Sequence, residues 1–176
     1  MPRHRATLIL PILLCACQQE SQQELAAPLQ NGQAPSGLER AAIESGVIAD
    51  AGRISPVGLY QRRHEAGRDL LCVVADGPNR FRVGAEVEFG EGQTCKGRGT
   101  ARRAGDKLIL RFPRAQCTIV ATYEGDRVAL PGVVDVHCAD LCRNRASMEG
   151  VAFPRLAYDE KAALAARDRN GDALCQ

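Results

Sequence analysis

Six cysteines after residue 70 are the side chains with the clearest chemistry in this sequence. Thiols can form disulfide bonds, bind zinc or act as nucleophiles. An even number of cysteines in an exported chain predicts disulfide bonds, because compartments outside the cytoplasm are oxidising. We therefore expect three bridges among Cys72, Cys95, Cys117, Cys138, Cys142 and Cys175.

The spacing of two of these cysteines around a turn indicates a first pairing. If a hairpin turns at Gly105, Cys95 and Cys117 lie nearly opposite each other on its two arms. Antiparallel arms bring opposite residues within bridging distance. Cys95–Cys117 is therefore the first predicted bridge.

Cys138 and Cys142 lie one helical turn apart and face the same way. We expect them to bond to Cys72 and Cys175 rather than to each other. With His137 they also offer zinc ligands, but no second pair follows at the spacing of a zinc ribbon or finger. The sequence therefore predicts no metal site.

A catalytic centre would need a nucleophile, a base and a group that orients the base. His64 lies in an exposed-looking turn, QRRHE, and His137 precedes Cys138 at the end of a predicted strand. Neighbours on a strand point to opposite faces, a bridged cysteine cannot attack a substrate, and no serine lies in a Gly-x-Ser-x-Gly elbow. We predict no catalytic residue and no cofactor.

The C-terminal tail DRNGDALCQ resembles the calcium-binding motif of extracellular excalibur domains, an Asp-rich loop followed by cysteine. That resemblance implies oxygen ligands from Asp168, Asn170 and Asp172. The tail departs from the motif at Asn170, at Ala173 and in the early position of Cys175. The alternative that we favour is a helix C-cap followed by a polar tail that Cys175 holds in place.

The first 16 residues are typical of a secretory signal peptide. Arg3 and Arg5 give a positive start, and the apolar run at 8–14 is too short to cross a bilayer. Removal of this segment takes away two arginines and no acid, so the formal net charge falls from +2 to about zero. Such a balance argues against a dedicated nucleic-acid binder, which is usually strongly basic.

The segment LCAC at 14–17 resembles a bacterial lipobox. The resemblance implies cleavage before Cys17 and acylation of Cys17, with palmitate among the acyl groups. Gln18, in place of Asp, is similar to lipoproteins that are sent to the outer membrane. Residues 17–35 would then form the lipid anchor and a flexible, Gln-rich tether. The alternative is cleavage by ordinary signal peptidase, which would leave Cys17 as a thiol.

Hydrophobic periodicity in residues 36–176 predicts a single domain rich in β-structure. Residues 80–89 alternate strictly, with Phe81 and Val87 on one face and charged residues on the other, as in a half-buried antiparallel strand. Turns that contain glycine separate further predicted strands at 70–74, 108–112, 117–123, 128–130 and 133–136. Six or seven such strands predict a curled antiparallel meander or a small β-barrel.

Short helices flank the predicted strands. Ser36 and Glu39 have the spacing of a capping box, which predicts a helix that ends near Gly46. The pattern becomes helical again from Cys138, and residues 159–167 predict an Ala-rich helix. The predicted fold class is therefore β-rich α+β, braced by disulfides, with short N- and C-terminal helices.

Positive charge is concentrated in residues 60–114, which hold 12 Lys and Arg against seven acids. Arg98, Arg102 and Arg103, in RGTARR, are the densest part and predict a partner-binding patch. Such a patch suits an anionic envelope polymer, such as lipopolysaccharide or a teichoic-type polymer, or an acidic protein surface. The alternative is an ordinary solvated strand face, where arginines discourage edge-to-edge pairing.

These patterns together predict a lipid-anchored protein on the periplasmic face of the outer membrane that binds an anionic ligand or partner without catalysis. The alternatives are an accessory factor for envelope assembly, a hydrolase, and an inhibitor of a cell-wall hydrolase. Small barrel lipoproteins that inhibit lysozyme are similar in size, export and disulfides, although none of their local motifs occurs here. Lysozymes of that type are basic, which makes them poor electrostatic partners for residues 60–114.

Overall fold

The computed structural model describes residues 36–48, 50 and 52–176. The predicted signal peptide at 1–16, the acylated Cys17 and the tether at 17–35 lie outside the described residues. In chain order the elements are α1 (Gly37–Glu44), β1 (Gly58–His64), β2 (Gly67–Ala75), β3 (Arg80–Glu88), β4 (Thr94–Ala104), β5 (Lys107–Phe112), a first 3-10 helix (Pro113–Ala115), β6 (Cys117–Tyr123), β7 (Arg127–Ala129), a second 3-10 helix (Val136–Leu141), β8 (Ala152–Ala157) and α2 (Glu160–Ala165).

The strands form one closed antiparallel barrel. Each strand pairs with the next along the chain, and β8 pairs with β1 to complete the circle. Closure removes the unpaired edges that an open sheet would present to other chains. The predicted β-rich fold with a small barrel is confirmed, whereas the predicted six to seven strands are wrong, because the barrel has eight.

The sequence patterns missed three strands and placed one wrongly. β1 is mostly polar, β4 carries glycines on its inner side, and β8 contains Pro154, so none of them alternates clearly. His64 consequently ends a strand instead of lying in a turn. The predicted strand at 133–136 is absent: Val133 and Val136 are 80% and 81% exposed, so neither packs on the sheet.

The barrel interior is the main hydrophobic core. The alternation predicted for residues 80–89 is confirmed along β3, since Phe81, Val83 and Val87 point inward and are buried. Phe89 follows the strand and is half-exposed. Large side chains from the other strands fill the remaining space, including Tyr60, Leu71, Leu108, Ile119, Tyr123 and Phe153.

A second, smaller core covers the outer face of β2 and β3. The outward residues Leu70, Cys72 and Val74 are buried, because α2 and the C-terminal residues pack over them through Ala163, Ala166, Leu174 and Cys175. Glu86, whose carboxylate accepts the Arg169 N–H of the C-terminal segment, is also buried, and so is Glu88, although the alternation of β3 had placed both on the solvent face.

Side-chain caps begin both helices. The Ser36 hydroxyl accepts the Glu39 N–H at 3.1 Å, which confirms that α1 begins at the predicted cap. The Asp159 carboxylate accepts the Ala162 N–H at 2.8 Å at the start of α2. This helix is shorter than predicted, since it ends at Ala165.

Three disulfide bonds use all six predicted cysteines: Cys72–Cys175, Cys95–Cys142 and Cys117–Cys138. The first fastens the C-terminal segment to the outer face of β2. The other two fasten the second 3-10 helix and the residue after it to the barrel wall. Each bridge typically contributes about 2–4 kcal/mol to stability.

The predicted Cys95–Cys117 bridge is wrong because the chain reverses once more after β5. The first 3-10 helix turns the chain so that Cys117 lies opposite Phe112 at the start of β6. Cys138 and Cys142 are not bonded to each other, as predicted. Their partners are nevertheless Cys117 and Cys95, and not the predicted Cys72 and Cys175.

Gly84 on β3 lies under the C-terminal segment, and a Cβ atom there would overlap the carbonyl oxygen of Leu174. We expect Gly84→Ala to lower the free energy of unfolding by about 1–3 kcal/mol, because the segment must move off the second core. Gly132→Ala is the matched control, since a Cβ there meets nothing within 4 Å. Urea denaturation measures both variants, and equal losses would contradict tight packing of the C-terminal segment on β3.

Candidate functional site

The three predicted partner-binding arginines of β4 separate in the structure. Side chains alternate along a strand, so Arg98 and Arg102 lie on the exposed outer face and Arg103 lies on the opposite side. The Arg103 Nε donates to the carbonyl of Gly105 at 3.1 Å, and its Nη1 donates to that of Ile54 at 3.1 Å. Arg103 therefore braces one end of the barrel and does not share a surface with the other two.

Aromatic side chains close that end of the barrel around Arg155. The Arg155 Nη2 donates to the Tyr123 hydroxyl at 2.6 Å, and its guanidinium lies 4.7 Å from the centroid of the Tyr60 ring. Burial raises the pKa of Tyr60 and of Tyr123, although the charge of Arg155 acts to lower both. Both phenols therefore stay neutral and serve as hydrogen-bond donors, which is a structural role.

Four exposed arginines on neighbouring strands form a surface that we call the arginine face: Arg80, Arg98, Arg102 and Arg111. The pairing register puts Arg80 directly opposite Arg102 and puts Thr100 directly opposite Arg111. Like charges directly opposite on paired strands destabilise a sheet. Among the described residues, this face makes one ion pair, which joins Arg80 to Asp76 at 3.9 Å. Most of its charge is therefore uncompensated.

A shallow groove of about 290 Å³ crosses the arginine face. Three guanidinium groups and one carboxylate line it, together with Thr100, Ala101 and Ile109. The guanidinium group binds planar or tetrahedral anions through two parallel hydrogen bonds. The groove is therefore suited to an anion.

A larger cleft of about 660 Å³ opens where β4 separates from β5. The pairing of β4 with β5 covers only residues 100–104, whereas Cys95 pairs with Cys142 after the second 3-10 helix. Gly97 lies between these two regions and has no side chain to fill the gap. A Cβ atom there would lie 2.7 Å from Cδ1 of Phe112. We call this opening the fork cleft.

Arginines surround the fork cleft and apolar side chains form part of its wall. Its basic residues include Arg98, Arg114, Arg143 and Arg169, and its apolar residues are Phe112, Ala115 and Leu141. The acids that line it are Glu86, Asp140 and Asp172. Burial raises the pKa of Glu86, although a hydrogen bond from the Arg169 N–H acts to lower it. In the part of the chain that the structure describes, none of these four arginines forms an ion pair.

The tail that resembles a calcium loop is held together by its own first aspartate. Asp168 Oδ1 accepts the N–H groups of Asn170 and Asp172 at 2.8 and 2.9 Å, and Oδ2 accepts from Lys96. The pKa of Asp168 lies below its usual range: burial acts to raise it, but the hydrogen bond from Lys96 and those from the two amides outweigh burial. A lysine ammonium thus binds the carboxylate that the motif would offer to calcium. No group of three or more His, Cys, Asp or Glu suited to a metal occurs among residues 36–48, 50 and 52–176.

The two histidines considered for catalysis lie apart and differ in surroundings. His64 Nε2 lies 3.1 Å from Asp69 Oδ1, and the same buried carboxylate pairs with Arg62 at 2.6 Å. His137 is exposed in the second 3-10 helix, and not at a strand end as predicted; its N–H donates to Asp135 at 2.8 Å. Its neighbour Cys138 is bonded to Cys117, and every cysteine among the described residues is in a disulfide, so none of them offers a thiol to either imidazole.

Several arginines that share these surfaces were not predicted as binding residues from the sequence. Arg80 and Arg111 could have been found from strand alternation, because each stands on the polar side of a strand whose other side is apolar. Arg114, Arg143 and Arg169 follow turns and irregular segments, so no periodicity indicates where they lie.

Comparison of the chain with protein-family models, curated proteins and solved structures finds no match. No helix among the described residues is both long and apolar enough to cross a membrane. Function must therefore be inferred from the geometry of the arginine face and the fork cleft.

Lys96→Met should lower the free energy of unfolding at pH 7 by about 2–3 kcal/mol, because it leaves the buried carboxylate of Asp168 without its cation. A carboxyl group whose pKa is lower in the folded state than in the unfolded state, where it is about 3.9, stabilises the fold at pH values above 3.9. That stabilisation is lost as the pH falls through the folded-state pKa. The difference in the free energy of unfolding between the parent and Lys96→Met should therefore become smaller as the pH is lowered from 6 to 2.

Chemical denaturation of the parent and of Lys96→Met at several pH values measures this difference in the free energy of unfolding. Lys107→Met is the matched control, since Lys107 pairs with the exposed Asp106 and should contribute little. Parallel stability curves for the parent and Lys96→Met between pH 6 and pH 2 would contradict the role given to the Lys96–Asp168 pair.

Proposed function

We propose that the protein is a non-catalytic binding module of the bacterial cell envelope, anchored by lipid on Cys17, that holds an anionic ligand or partner on its arginine face. The observation that carries this proposal is the concentration of uncompensated charge on three neighbouring strands. The lipobox-like segment at 14–17 supports the anchor, and Gln18, in place of Asp, supports the periplasmic face of the outer membrane as its location.

The energetics of the arginine face favour a binding role over a passive surface. Arg80 and Arg102 oppose each other directly, which costs stability unless an anion reduces the repulsion. A bound phosphate, sulfate or carboxylate would accept hydrogen bonds from both guanidinium groups. Arg111 across the groove adds a third donor from the next strand.

The charge of the face also ranks the possible partners. A basic surface attracts anionic polymers and acidic proteins and repels basic proteins. Inhibition of a basic lysozyme would therefore need another surface of the molecule. An accessory role in envelope assembly remains compatible with the face, provided that the assembled partner is acidic.

Replacement of Arg80, Arg102 and Arg111 by Gln, the face variant, should weaken binding to purified lipopolysaccharide about tenfold or more at 0.1 M salt, the condition chosen for the assay. The reason is the loss of three guanidinium donors from one groove. Titration of the whole chain carrying Cys17→Ser, with its disulfides intact, measures binding without any lipid anchor.

The control variant replaces Arg53, Arg63 and Arg145 by Gln, so the net charge changes equally at exposed positions outside both clefts. It should bind within about twofold of the parent. Equal losses in the two variants would show that total charge, and not the arginine face, governs binding. The proposed function is refuted if the parent binds neither lipopolysaccharide nor an acidic protein, such as a carrier protein with a polyglutamate tag.

The anchor makes a separate prediction. Cys17→Ser should abolish incorporation of labelled palmitate into the protein in cells, because it removes the acylated residue. Cys15→Ser is the matched control, since the lipobox resemblance discards Cys15 with the signal peptide, and it should be labelled as strongly as the parent. Autoradiography of the immunoprecipitated protein measures the label, and equal labelling of both variants would refute the lipid anchor at Cys17.

A further inference from the structure

The fork cleft is a second site whose arginines stand on fixed backbone. Arg143 follows the bridged Cys142, and its N–H donates to the carbonyl of Thr94 at 2.8 Å. Arg169 follows the buried Asp168, and its N–H donates to Glu86 at 2.9 Å. Arg114 stands in the first 3-10 helix. Each main chain is held in place, so a ligand would have to order only side chains, which lowers the entropic cost of binding.

The charges around the fork cleft leave a cationic excess for a ligand. Four arginines face three acids, and Glu86, one of these acids, is buried with a raised pKa. Lys96 also lines the cleft but is bound to Asp168. The remaining acids, Asp140 and Asp172, are exposed, and no ion pair among the described residues joins them to the arginines. Four guanidinium groups in one cleft are thus available to an anion.

Size and chemistry select the class of anion. The volume of about 660 Å³ lies in the range of small-molecule sites and exceeds the needs of a single small ion. A phosphoryl group offers three acceptor oxygens and up to two negative charges, so a few such groups can satisfy several guanidiniums at once. Phe112 and Leu141 supply an apolar wall for the carbon skeleton that joins them.

We propose that the fork cleft binds a compact ligand with two or more phosphoryl groups. The inference goes beyond the proposed function, because it concerns a different surface and does not require the arginine face to bind anything. Such phosphoryl groups occur on lipid headgroups and on soluble molecules, and both sources present the same chemistry to the four arginines.

The test uses inorganic tripolyphosphate as the probe and calorimetry as the measurement, with the whole oxidised chain carrying Cys17→Ser. The cleft variant, with Arg114, Arg143 and Arg169 replaced by Gln, should bind about 30-fold more weakly than the parent. The face variant should bind within about twofold of the parent, because Arg98, the arginine that the two surfaces share, is unchanged in it. Both variants remove three positive charges, so each controls for net charge.

Several results would overturn the inference. These are no binding of tripolyphosphate by the parent, equal weakening in the two variants, or a loss confined to the face variant. Citrate tests the anion class, since a tricarboxylate that binds as tightly as tripolyphosphate would refute the preference for phosphoryl groups. If the fork cleft fails in any of these ways, lipopolysaccharide binding that depends on the arginine face would still leave the proposed function standing.

Vesicles distinguish the two sources of the phosphoryl groups. Phosphatidylcholine vesicles containing phosphatidylinositol 4,5-bisphosphate, whose headgroup carries more than one phosphoryl group, should retain the parent and release the cleft variant if the ligand is a lipid headgroup. If tripolyphosphate binds in the cleft and both proteins ignore these vesicles, the ligand is a soluble phosphorylated molecule. Both results support the fork cleft as a phosphoryl site and differ only in the source.

Discussion

A single guanidinium holds the seam at which the barrel closes. β8 meets β1 through only two pairs of residues, Leu59 with Ala157 and Tyr60 with Arg155, and the register shifts between them. Arg155 reinforces this short seam by donating to three backbone carbonyls and one phenol, those of Ser55, Val57, Gly125 and Tyr123. Because the seam fixes the closed sheet, it also fixes the positions of the outward arginines on β3, β4 and β5.

The sequence predicted those parts of the fold whose residues alternate strictly. β3 and β6 were recognisable because a small barrel buries one side of each strand, and Ser36 marked α1 through its cap. β4 was not recognisable, since its inner positions hold Gly97 and Gly99 and its inward signal is lost. The eighth strand likewise carries Pro154, which is tolerated only where its missing N–H is not needed.

The candidate site was predictable only where it follows strand faces. Arg98 and Arg102 share the outer face that alternation assigns, and Arg103 falls on the other side by the same rule. The fork cleft depends on where β4 leaves β5 and on which cysteines bond, and neither is a local property of the sequence. Asp168 shows the same limit: its charge partner, Lys96, lies 72 residues away along the chain.

The order of the disulfide bonds has a consequence for how the chain matures. The bonds are nested, since the first cysteine of the domain joins the last, the second joins the fifth and the third joins the fourth. Oxidation that proceeds as the chain emerges would join neighbouring cysteines in order. Of the three bonds formed in this way, only Cys117–Cys138 is a native bond. Cys72 must wait for a partner 103 residues later. A chain that was oxidised in that order would therefore need disulfide exchange to reach the native bonds, whereas a chain that folded first could form them directly.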